Sequence, residues 1–321
     1  MKVLIIGGGG LVGQKLARSL AARGTLRGQA IDRLVLADIV DPAPVAAGFP
    51  VDTRLCDIAD PASVAAAVDG DVDVIYLLAA IVSAHAEEDL DAGLRTNLFG
   101  TLNVLQRCRE IGTCPVLVFT SSIAVNGGDV PQPYSDYTAL NPQTSYGAQK
   151  AMGELLVTDF SRRGLIDGRG FRLPTISVRP GKPNRAASGF MSSIFREPLQ
   201  GETANCPVDP EFNHYYLSPR KCVENLVKAA DLKAEDLGRN RCMVMPGRVW
   251  TIAQMIEAMT AVAGPEPAKR ITWNRQPELD PILKGWRMEV RAERAEALGL
   301  EADASFEDNI RYFLEDDIAR G

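Results

Sequence analysis

The stretch VLIIGGGGLVGQKLARSL, which runs from Val3 to Leu20, decides the fold of this chain. Its first apolar residues predict a buried strand, and Val12, Leu16 and Leu20 lie on one face of a predicted helix. Between them stand four consecutive glycines, although glycine loses more conformational entropy on folding than any other residue. A turn built from glycines lets the main chain bend tightly and approach a bound pyrophosphate at the amino end of the helix.

The spacing of these glycines fits a dinucleotide-binding fingerprint in two ways, Gly8-x-Gly10-x-x-Gly13 and Gly7-x-x-Gly10-x-x-Gly13. Glycine-rich turns also occur for packing reasons alone. Asp38 closes the next apolar segment, RLVLAD, where a carboxylate can accept hydrogen bonds from both ribose hydroxyls. Because a 2′-phosphate would meet this negative charge, the sequence predicts NAD rather than NADP as the cofactor. A strand-end Asp that caps a turn is the alternative.

Short apolar segments alternate with helical patterns through the first half of the chain. KVLIIG, RLVLAD, DVDVIYLLAA and PVLVFTSS are too apolar for a sheet with one solvated face, so they predict buried parallel strands. The alternation predicts an α/β fold with a doubly wound parallel sheet, the Rossmann fold. Prolines interrupt regular structure in GFRLPTISVRPGKPN. We therefore expect an NAD-binding domain over residues 1–178, to which the chain returns around 215–250, and a smaller interleaved substrate-binding domain over 179–321.

The composition disfavours several classes of protein. No apolar run approaches the ~20 residues of a membrane span, and the apolar segment at the N-terminus is too short for a signal peptide. We therefore expect a cytoplasmic protein. A net charge of -6 disfavours bulk attraction to nucleic acid or to an anionic membrane. The six cysteines lack C-x-x-C spacing and only two histidines accompany them, which predicts free thiols and no metal site.

A second pattern, TSYGAQK, places Tyr146 and Lys150 on one face of a predicted helix. An ammonium beside a phenol favours the phenolate, so we expect Lys150 to lower the pKa of Tyr146 and to make it a base for an alcohol proton. The segment FTSSIAVNG brings Ser121 and Ser122 to the carboxyl edge of the predicted sheet, where ligands bind.

Together with the glycine motif and Asp38, the segments CDI (56–58), LLAA (77–80), Asn97, TSS and YGAQK resemble the extended short-chain dehydrogenase/reductase family, the epimerase/dehydratase group. The resemblance covers about residues 1–250. It implies a catalytic site of Ser122, Tyr146 as base, and Lys150, which would also touch the nicotinamide ribose. The resemblance implies that NAD is bound by Gly7, Gly10, Leu11, Val12, Gly13, Asp38, Asp57, Ile58, Leu78, Ala79, Ala80, Asn97, Tyr146, Lys150, Pro174 and Ile176.

Departures from the family narrow the chemistry. Family dehydratases carry an Asp-Glu pair directly after the hydroxyl residue, whereas this chain has Ile123 and Ala124 there, which disfavours dehydration. Sugar-nucleotide epimerases usually have Tyr at the position of Asn126. The segments RLPTISVRPGKPNRAAS, TSSIAVNGG and TSYGAQKAMGELL resemble most closely the D-erythronate dehydrogenases within the family. This implies an NAD-dependent oxidoreductase that converts D-erythronate to 2-dehydro-D-erythronate at the C2 hydroxyl.

A carboxylate substrate needs a cationic partner, and Arg179, Lys182 and Arg185 lie in a loop expected to cross the mouth of the crevice. Solvated loop charges, or for Arg179 a structural ion pair, are the alternatives. His214 and Tyr215, in FNHYYLSPR, either contact the substrate or pack in the interior. The predicted substrate-binding residues are Ser122, Asn126, Tyr146, Thr175, Lys182, Arg185 and Ser188.

Two other functions remain open from the sequence: a nucleotide-sugar epimerase that holds its NAD tightly, and an NAD-sensing protein without turnover. The complete set of Ser122, Tyr146 and Lys150 argues against a sensor, which needs no base. The leucine stripe between Leu90 and Leu105 lies on a helix predicted from about Glu87 to Ile111. It either faces the sheet or, as the family resemblance implies, pairs with a second copy in a homodimer. We expect a small anionic sugar-acid substrate and neither nucleic acid nor a membrane as partner.

Overall fold

The computed structural model describes residues 1–181, 187–276 and 289–319. The strands are β1 (Lys2–Ile6), β2 (Thr25–Leu26), β3 (Gln29–Ala30), β4 (Arg33–Asp38), β5 (Val51–Leu55), β6 (Val74–Leu77), β7 (Val116–Ser122), β8 (Asp167–Leu173), β9 (Thr175–Ile176), β10 (Ala204–Asn205), β11 (Asn213–Leu217), β12 (Cys242–Val244), β13 (Arg248–Thr251) and β14 (Ile271–Thr272). The α-helices are α1 (Leu11–Arg23), α2 (Pro61–Ala67), α3 (Ser83–Glu88), α4 (Leu90–Gly93), α5 (Thr101–Ile111), α6 (Ser145–Arg162), α7 (Phe190–Leu199), α8 (Pro219–Asp231), α9 (Ile252–Ala263), α10 (Glu293–Ala297) and α11 (Phe306–Phe313).

Short segments of other helix types join these elements. A π-helical segment connects α4 to α5, and a second one follows α11, while short 3-10 helices lie in several connections. The π-helical segments are Leu94–Gly100 and Leu314–Ile318, and the 3-10 helices are Ile123–Val125, Ala187–Gly189, Ala234–Leu237 and Ala268–Arg270.

The central sheet has the strand order β12-β8-β7-β6-β1-β4-β5, and each neighbouring pair of these strands is parallel. This confirms the predicted doubly wound parallel sheet. From β1 the chain first builds outward through β4 and β5, then crosses back to begin the other half with β6. The switch point therefore lies between β1 and β6, and in such sheets the ligand crevice opens at the carboxyl ends of the strands there.

Apolar side chains cover both faces of the central sheet. Leu16 of α1 and Leu226 of α8 belong to the buried cluster on one face, whereas Val104 of α5 and Val157 of α6 belong to the cluster on the other. The interior strands β1, β4, β6 and β7 are thus shielded from water on both sides, which is why their sequences read as continuous apolar runs rather than as alternations.

A third buried cluster lies outside the central sheet and joins α7, α9, α11 and β11. The strand β11 pairs in parallel with β9 and antiparallel with β13. After β11 the chain returns to the central sheet. Within residues 219–244, α8 packs on one face of the sheet and β12 pairs with β8. The division at residue 178 into two domains stays a prediction. Over the described ranges, no helix has the length and apolar character needed to cross a bilayer.

Candidate active site

The glycine turn between β1 and α1 has the geometry of a phosphate cradle. Gly7 has a φ of 94°, and a Cβ there would lie 2.6 Å from the backbone nitrogen of Ala79. A Cβ on Gly13 would lie 2.1 Å from the carbonyl oxygen of Gly7, so only glycine lets α1 pack this closely against the turn. Gly10, the N-cap, provides no side-chain hydrogen bond to the first turn, which also holds no acidic residue. The first-turn N–H groups of α1 can therefore receive a pyrophosphate.

Asp38 lies beside this turn, as its position at the end of β4 predicts. Its Oδ2 accepts a hydrogen bond of 2.9 Å from the Gly9 N–H, and its Oδ1 accepts one of 2.7 Å from the Ile39 N–H. These bonds fix the carboxylate next to the phosphate cradle and leave each oxygen a further lone pair. A ribose diol can be bound there, so the residues present fit the adenosine half of NAD.

Several other predicted cofactor residues lie at the same edge of the sheet, whereas Ile176 lies in β9, outside the central sheet. The N–H groups of Leu78 and Ala79 both donate to the carbonyl oxygen of Ile6, at 2.8 and 3.0 Å, which holds the end of β6 against the glycine turn. Asp57 follows β5, and its carboxylate accepts a hydrogen bond from the Ala59 N–H. The carboxyl ends of β1, β4, β5 and β6 thus form one continuous lining. Direct contact of these residues with NAD stays a prediction.

Asn97 is buried in the π-helical segment, and its amide is occupied by protein groups. Its Oδ1 accepts from the Ile81 N–H at 2.9 Å, and its Nδ2 donates to Gln149 Oε1 at 2.8 Å. These bonds join the segment after β6 to α6. The structure therefore gives Asn97 a role in positioning this lining, while its predicted contact with the cofactor remains to be tested.

Ser122 and Tyr146 meet at the carboxyl end of β7. Ser122 ends that strand, and its Oγ accepts a hydrogen bond from the Ala124 N–H. Thr144 caps α6, and a Cβ on Gly147 would lie 2.1 Å from the Ala124 carbonyl oxygen, so α6 packs tightly on the turn after Ser122. The Tyr146 phenol is close enough to the Ser122 side chain for that hydroxyl to act on its pKa. Both hydroxyls therefore lie at the same carboxyl edge of the sheet.

Lys150 lies one turn after Tyr146 and is 2% exposed. Its Nζ donates to the Thr120 carbonyl oxygen at 2.9 Å and lies 5.8 Å from the centroid of the Tyr146 ring. Burial lowers the pKa of Lys150 to about 8. Among residues 1–181, 187–276 and 289–319, no carboxylate forms an ion pair with it. The buried charge of Lys150 is therefore stabilised only by a neutral carbonyl and two aromatic rings.

The expected effect of Lys150 on Tyr146 is not seen in this structure. Burial raises the pKa of Tyr146 to about 12, and only the nearby Ser122 side chain acts in the opposite direction. Removing water from around the hydroxyl disfavours the phenolate, and the Lys150 ammonium is directed toward Thr120 rather than toward the phenol oxygen. The prediction of a lowered Tyr146 pKa was therefore wrong.

A buried charged network beneath these residues was not predicted from the sequence. Glu154, one turn after Lys150 on α6, accepts from Ser121 Oγ at 2.6 Å and from Arg172 at 2.9 and 3.0 Å. Both ion-pair side chains are 4% exposed. The network ties α6 to β7 and β8, and so fixes the helix that carries Tyr146 and Lys150. The only signal in the sequence was that Glu154 continues the face shared by those two residues.

The structure describes several of the residues that the sequence predicts for the substrate. Asn126 is buried, and its Nδ2 donates to the Ala139 carbonyl oxygen at 2.8 Å, while its Oδ1 has no hydrogen-bond partner in the described parts of the chain. Thr175 Oγ1 lies 2.9 Å from His214 Nε2. Tyr215 is buried with its hydroxyl donating to the Met245 carbonyl oxygen, which is a packing role.

The predicted basic loop is described only in part. Lys182 and Arg185 lie outside the described residues. Ser188 contacts Arg179, whose Nη2 donates to the Ser188 carbonyl oxygen at 3.2 Å. The alternative of a structural ion pair for Arg179 finds no support in the described ranges, since none of their carboxylates pairs with it.

Comparison with known proteins places this site in a family context. The model of the NAD dependent epimerase/dehydratase family matches residues 3–211. The chain is 51% identical to a D-erythronate dehydrogenase of Cupriavidus necator over 98% of both chains. It is 40% identical to a D-erythronate dehydrogenase of Haemophilus influenzae, over 99% of this chain and 100% of that one. A crystal structure of a nucleoside-diphosphate-sugar epimerase from Agrobacterium tumefaciens superimposes with a TM-score of 0.95 at 42% identity, covering 100% of this chain and 95% of that one.

Proposed function

The chain belongs to the NAD dependent epimerase/dehydratase family, so NAD is its cofactor, and from this premise we propose that it oxidises the C2 hydroxyl of D-erythronate to give 2-dehydro-D-erythronate. The observation that carries the proposal is the proximity of Tyr146 to Ser122 at the carboxyl edge of the sheet, with the Lys150 ammonium 5.8 Å from the tyrosine ring. Two relatives that match nearly the full chain are D-erythronate dehydrogenases, which supports a sugar acid as the substrate.

Each residue of the proposed site has a role that follows from its position. The glycine turn would hold the pyrophosphate of NAD, and Asp38 the adenosine ribose. Bound NAD supplies the hydride acceptor. Ser122 and Tyr146 would bind the C2 hydroxyl, and Tyr146 would take its proton as the C2 hydrogen leaves as hydride, so that a 2-keto acid results. Lys150 would stabilise the tyrosinate, because a neighbouring ammonium lowers the energy of a phenolate in a site shielded from water.

The residues after Ser122 support oxidation over elimination of water. Dehydration requires side chains that deliver and remove protons on the carbons next to the oxidised centre. Ile123 and Ala124 cannot do so, and Ile123 is buried. The site would therefore stop at the keto acid and release NADH.

The test is to mix the purified protein with NAD and one of three compounds, and to follow NADH by absorbance. D-Erythronate should be oxidised. Erythritol, which lacks the carboxylate, should lose roughly ten- to a hundredfold in kcat/KM, and UDP-sugars should be inactive. Turnover of a UDP-sugar with NADH retained on the protein, and no oxidation of any four-carbon acid, would favour the epimerase suggested by the name of the Agrobacterium tumefaciens relative. NAD binding without any turnover would favour a sensor.

We also propose that the protein forms a homodimer. The interface would consist of the helical stretch from α4 to α5 and of α6, which packs beside that stretch. Leu90 and Phe99 on the first, and Met152 and Leu155 on the second, are large apolar side chains that are exposed in the monomer. Burying them against a second copy would remove apolar surface from water. Light scattering should give twice the chain mass for the wild type, and Leu155→Glu should shift it toward one chain.

A further inference from the structure

Arg179 lies where the chain leaves the central sheet for α7. In the register of the sheet, Leu173 at the end of β8 is opposite Ser122 at the end of β7. The chain then passes through β9, which carries Thr175, and reaches Arg179. The segment therefore begins beside the proposed reacting hydroxyl, and Arg179 follows six residues after Leu173.

The backbone of Arg179 is held firmly, whereas its side chain has only weak partners. The Arg179 N–H donates to Ser192 Oγ at 3.2 Å, and its carbonyl oxygen accepts from Arg196 Nη1 at 3.0 Å. The guanidinium donates to the Ser188 carbonyl oxygen at 3.2 Å and to the Ser188 Oγ at 3.4 Å, which are long bonds to neutral acceptors. A half-buried guanidinium thus remains without an anion in the described part of the chain.

The fully buried arginines in the described part of the chain are neutralised by a carboxylate. Arg169 pairs with Asp167, Arg172 with Glu154, and Arg196 with Glu197. Arginine is the side chain best suited to a carboxylate, because its planar fork can form two parallel charge-assisted hydrogen bonds. Arg179 departs from the pattern followed by these three arginines.

The positive charge of Arg179 is disfavoured in the folded protein. Burial lowers its pKa to about 10, and the positive charge of Arg196 acts in the same direction. A buried cation beside a second cation is stabilised strongly by an added anion, because the anion removes both the desolvation cost and the repulsion.

We propose that Arg179 binds the carboxylate of the substrate and thereby sets the preference for a sugar acid over a neutral polyol. This rests on the proposed function. The C1 carboxylate is bonded directly to C2, so a substrate with its C2 hydroxyl on Ser122 and Tyr146 directs its carboxylate to a nearby wall of the crevice. Ser188, already in contact with the guanidinium, would orient it. Lys182 and Arg185, the cations predicted from the sequence for this role, are then dispensable for charge recognition.

The experiment compares D-erythronate with its neutral amide, D-erythronamide, which has the same size without the charge. In Arg179→Gln, the ratio of kcat/KM for the acid to that for the amide should fall roughly ten- to a hundredfold, since one charge-assisted bond is lost. Arg179→Lys should recover part of this ratio, because it restores the charge without the fork. Calorimetry should show NAD affinity unchanged in both variants, which a general loss of structure would not allow.

Arg23→Gln is the matched control. Arg23 pairs with Asp231 at the end of α1, remote from the carboxyl edge, so its loss removes one positive charge and should leave the ratio as in the wild type. Lys182→Gln and Arg185→Gln test the competing candidates, and the inference expects the ratio to be retained in both. A ratio that stays at the wild-type value in Arg179→Gln, or that falls instead in Lys182→Gln or Arg185→Gln, would overturn the inference.

A binding measurement separates this inference from the proposed function. The probe is D-erythronate titrated into the protein saturated with NADH. If the wild type binds the acid and Arg179→Gln binds it at least tenfold more weakly, Arg179 is the carboxylate site even if no turnover is found, and the proposed reaction alone fails. If D-erythronate is oxidised and the acid-to-amide ratio does not depend on Arg179, the proposed reaction stands and the inference fails.

Discussion

Replacing Lys150 by Met should make the protein inactive and more stable. Lys150 is buried, its single hydrogen bond goes to the Thr120 carbonyl, and burial lowers its pKa to about 8. The folded state therefore disfavours the ammonium that the unfolded chain carries freely. Met has a similar length and no charge, so Lys150→Met removes the cost of burying this charge while it keeps the packing against Phe119 and Tyr146.

The size and the pH dependence of the effect follow from the pKa. The difference between the ordinary value of 10.5 and about 8 corresponds to about 3 kcal/mol of destabilisation. Loss of the hydrogen bond to Thr120 offsets about 1 kcal/mol, so a net gain of about 2 kcal/mol is expected at neutral pH. The folded pKa is the lower one, so the cost is complete below about pH 8, decreases as pH rises toward the unfolded value, and is absent above it.

The assay is urea denaturation of the wild type and of Lys150→Met without cofactor, at about pH 7 and at about pH 10. The advantage of the variant should be largest at the lower pH and should shrink at the higher one. Lys15→Met is the matched control, because the Lys15 ammonium pairs with Asp317 at 2.7 Å and its loss should not stabilise the protein. A Lys150→Met variant that is less stable than the wild type at neutral pH, or an advantage that grows with pH, would refute this reasoning.

Three other substitutions test the site. Tyr146→Phe should keep the fold and NAD affinity and lose roughly a hundredfold or more in kcat, because only the proton acceptor is removed; near wild-type activity would contradict this. Asp38→Ser should weaken NAD and raise the ratio of kcat/KM for NADP to that for NAD, and efficient use of NADP by the wild type would argue against this role. Glu154→Gln should lower the free energy of unfolding by about 3–5 kcal/mol, because Arg172 loses its buried partner; an unchanged urea midpoint would count against the network.

The sequence predicts the parts of the fold that depend on residues close together in the chain. The strand, glycine turn and helix of residues 2–23 follow from local apolar patterns, and so does the end of β4 at Asp38. In contrast, β5 was not predicted, because it is the edge strand and its half-exposed residues form no apolar run. The expected helix from residue 87 to 111 begins only at Leu90, since Asp89 caps it, and its π-helical segment is invisible to a hydrophobic repeat.

The same distinction holds for the site. Some of its features follow from motifs in the sequence, and others depend on packing between segments that are far apart in the chain. The order of the motifs is sufficient to predict that Ser122, Tyr146 and Lys150 lie at one edge of the sheet. The direction of the Tyr146 pKa could not be obtained from the spacing, because it depends on burial by segments remote in sequence. Glu154 and Arg172 are charged residues of the kind that sequence patterns assign to the surface, and only the packing of α6 on β8 buries them together.

The uneven neutralisation of the cations in the interior supports the proposal of an anionic substrate. Arg172 is matched by Glu154, whereas Lys150 and Arg179 have no carboxylate partner in the described ranges, although acidic residues outnumber basic ones in the whole chain. Both unmatched charges lower stability, and each lies next to a step of the proposed reaction, Lys150 beside the base and Arg179 beside the expected carboxylate. A neutral sugar would leave the second charge uncompensated in the bound state. An acid would neutralise it, so the balance of buried charge favours an anionic substrate independently of the names of the relatives.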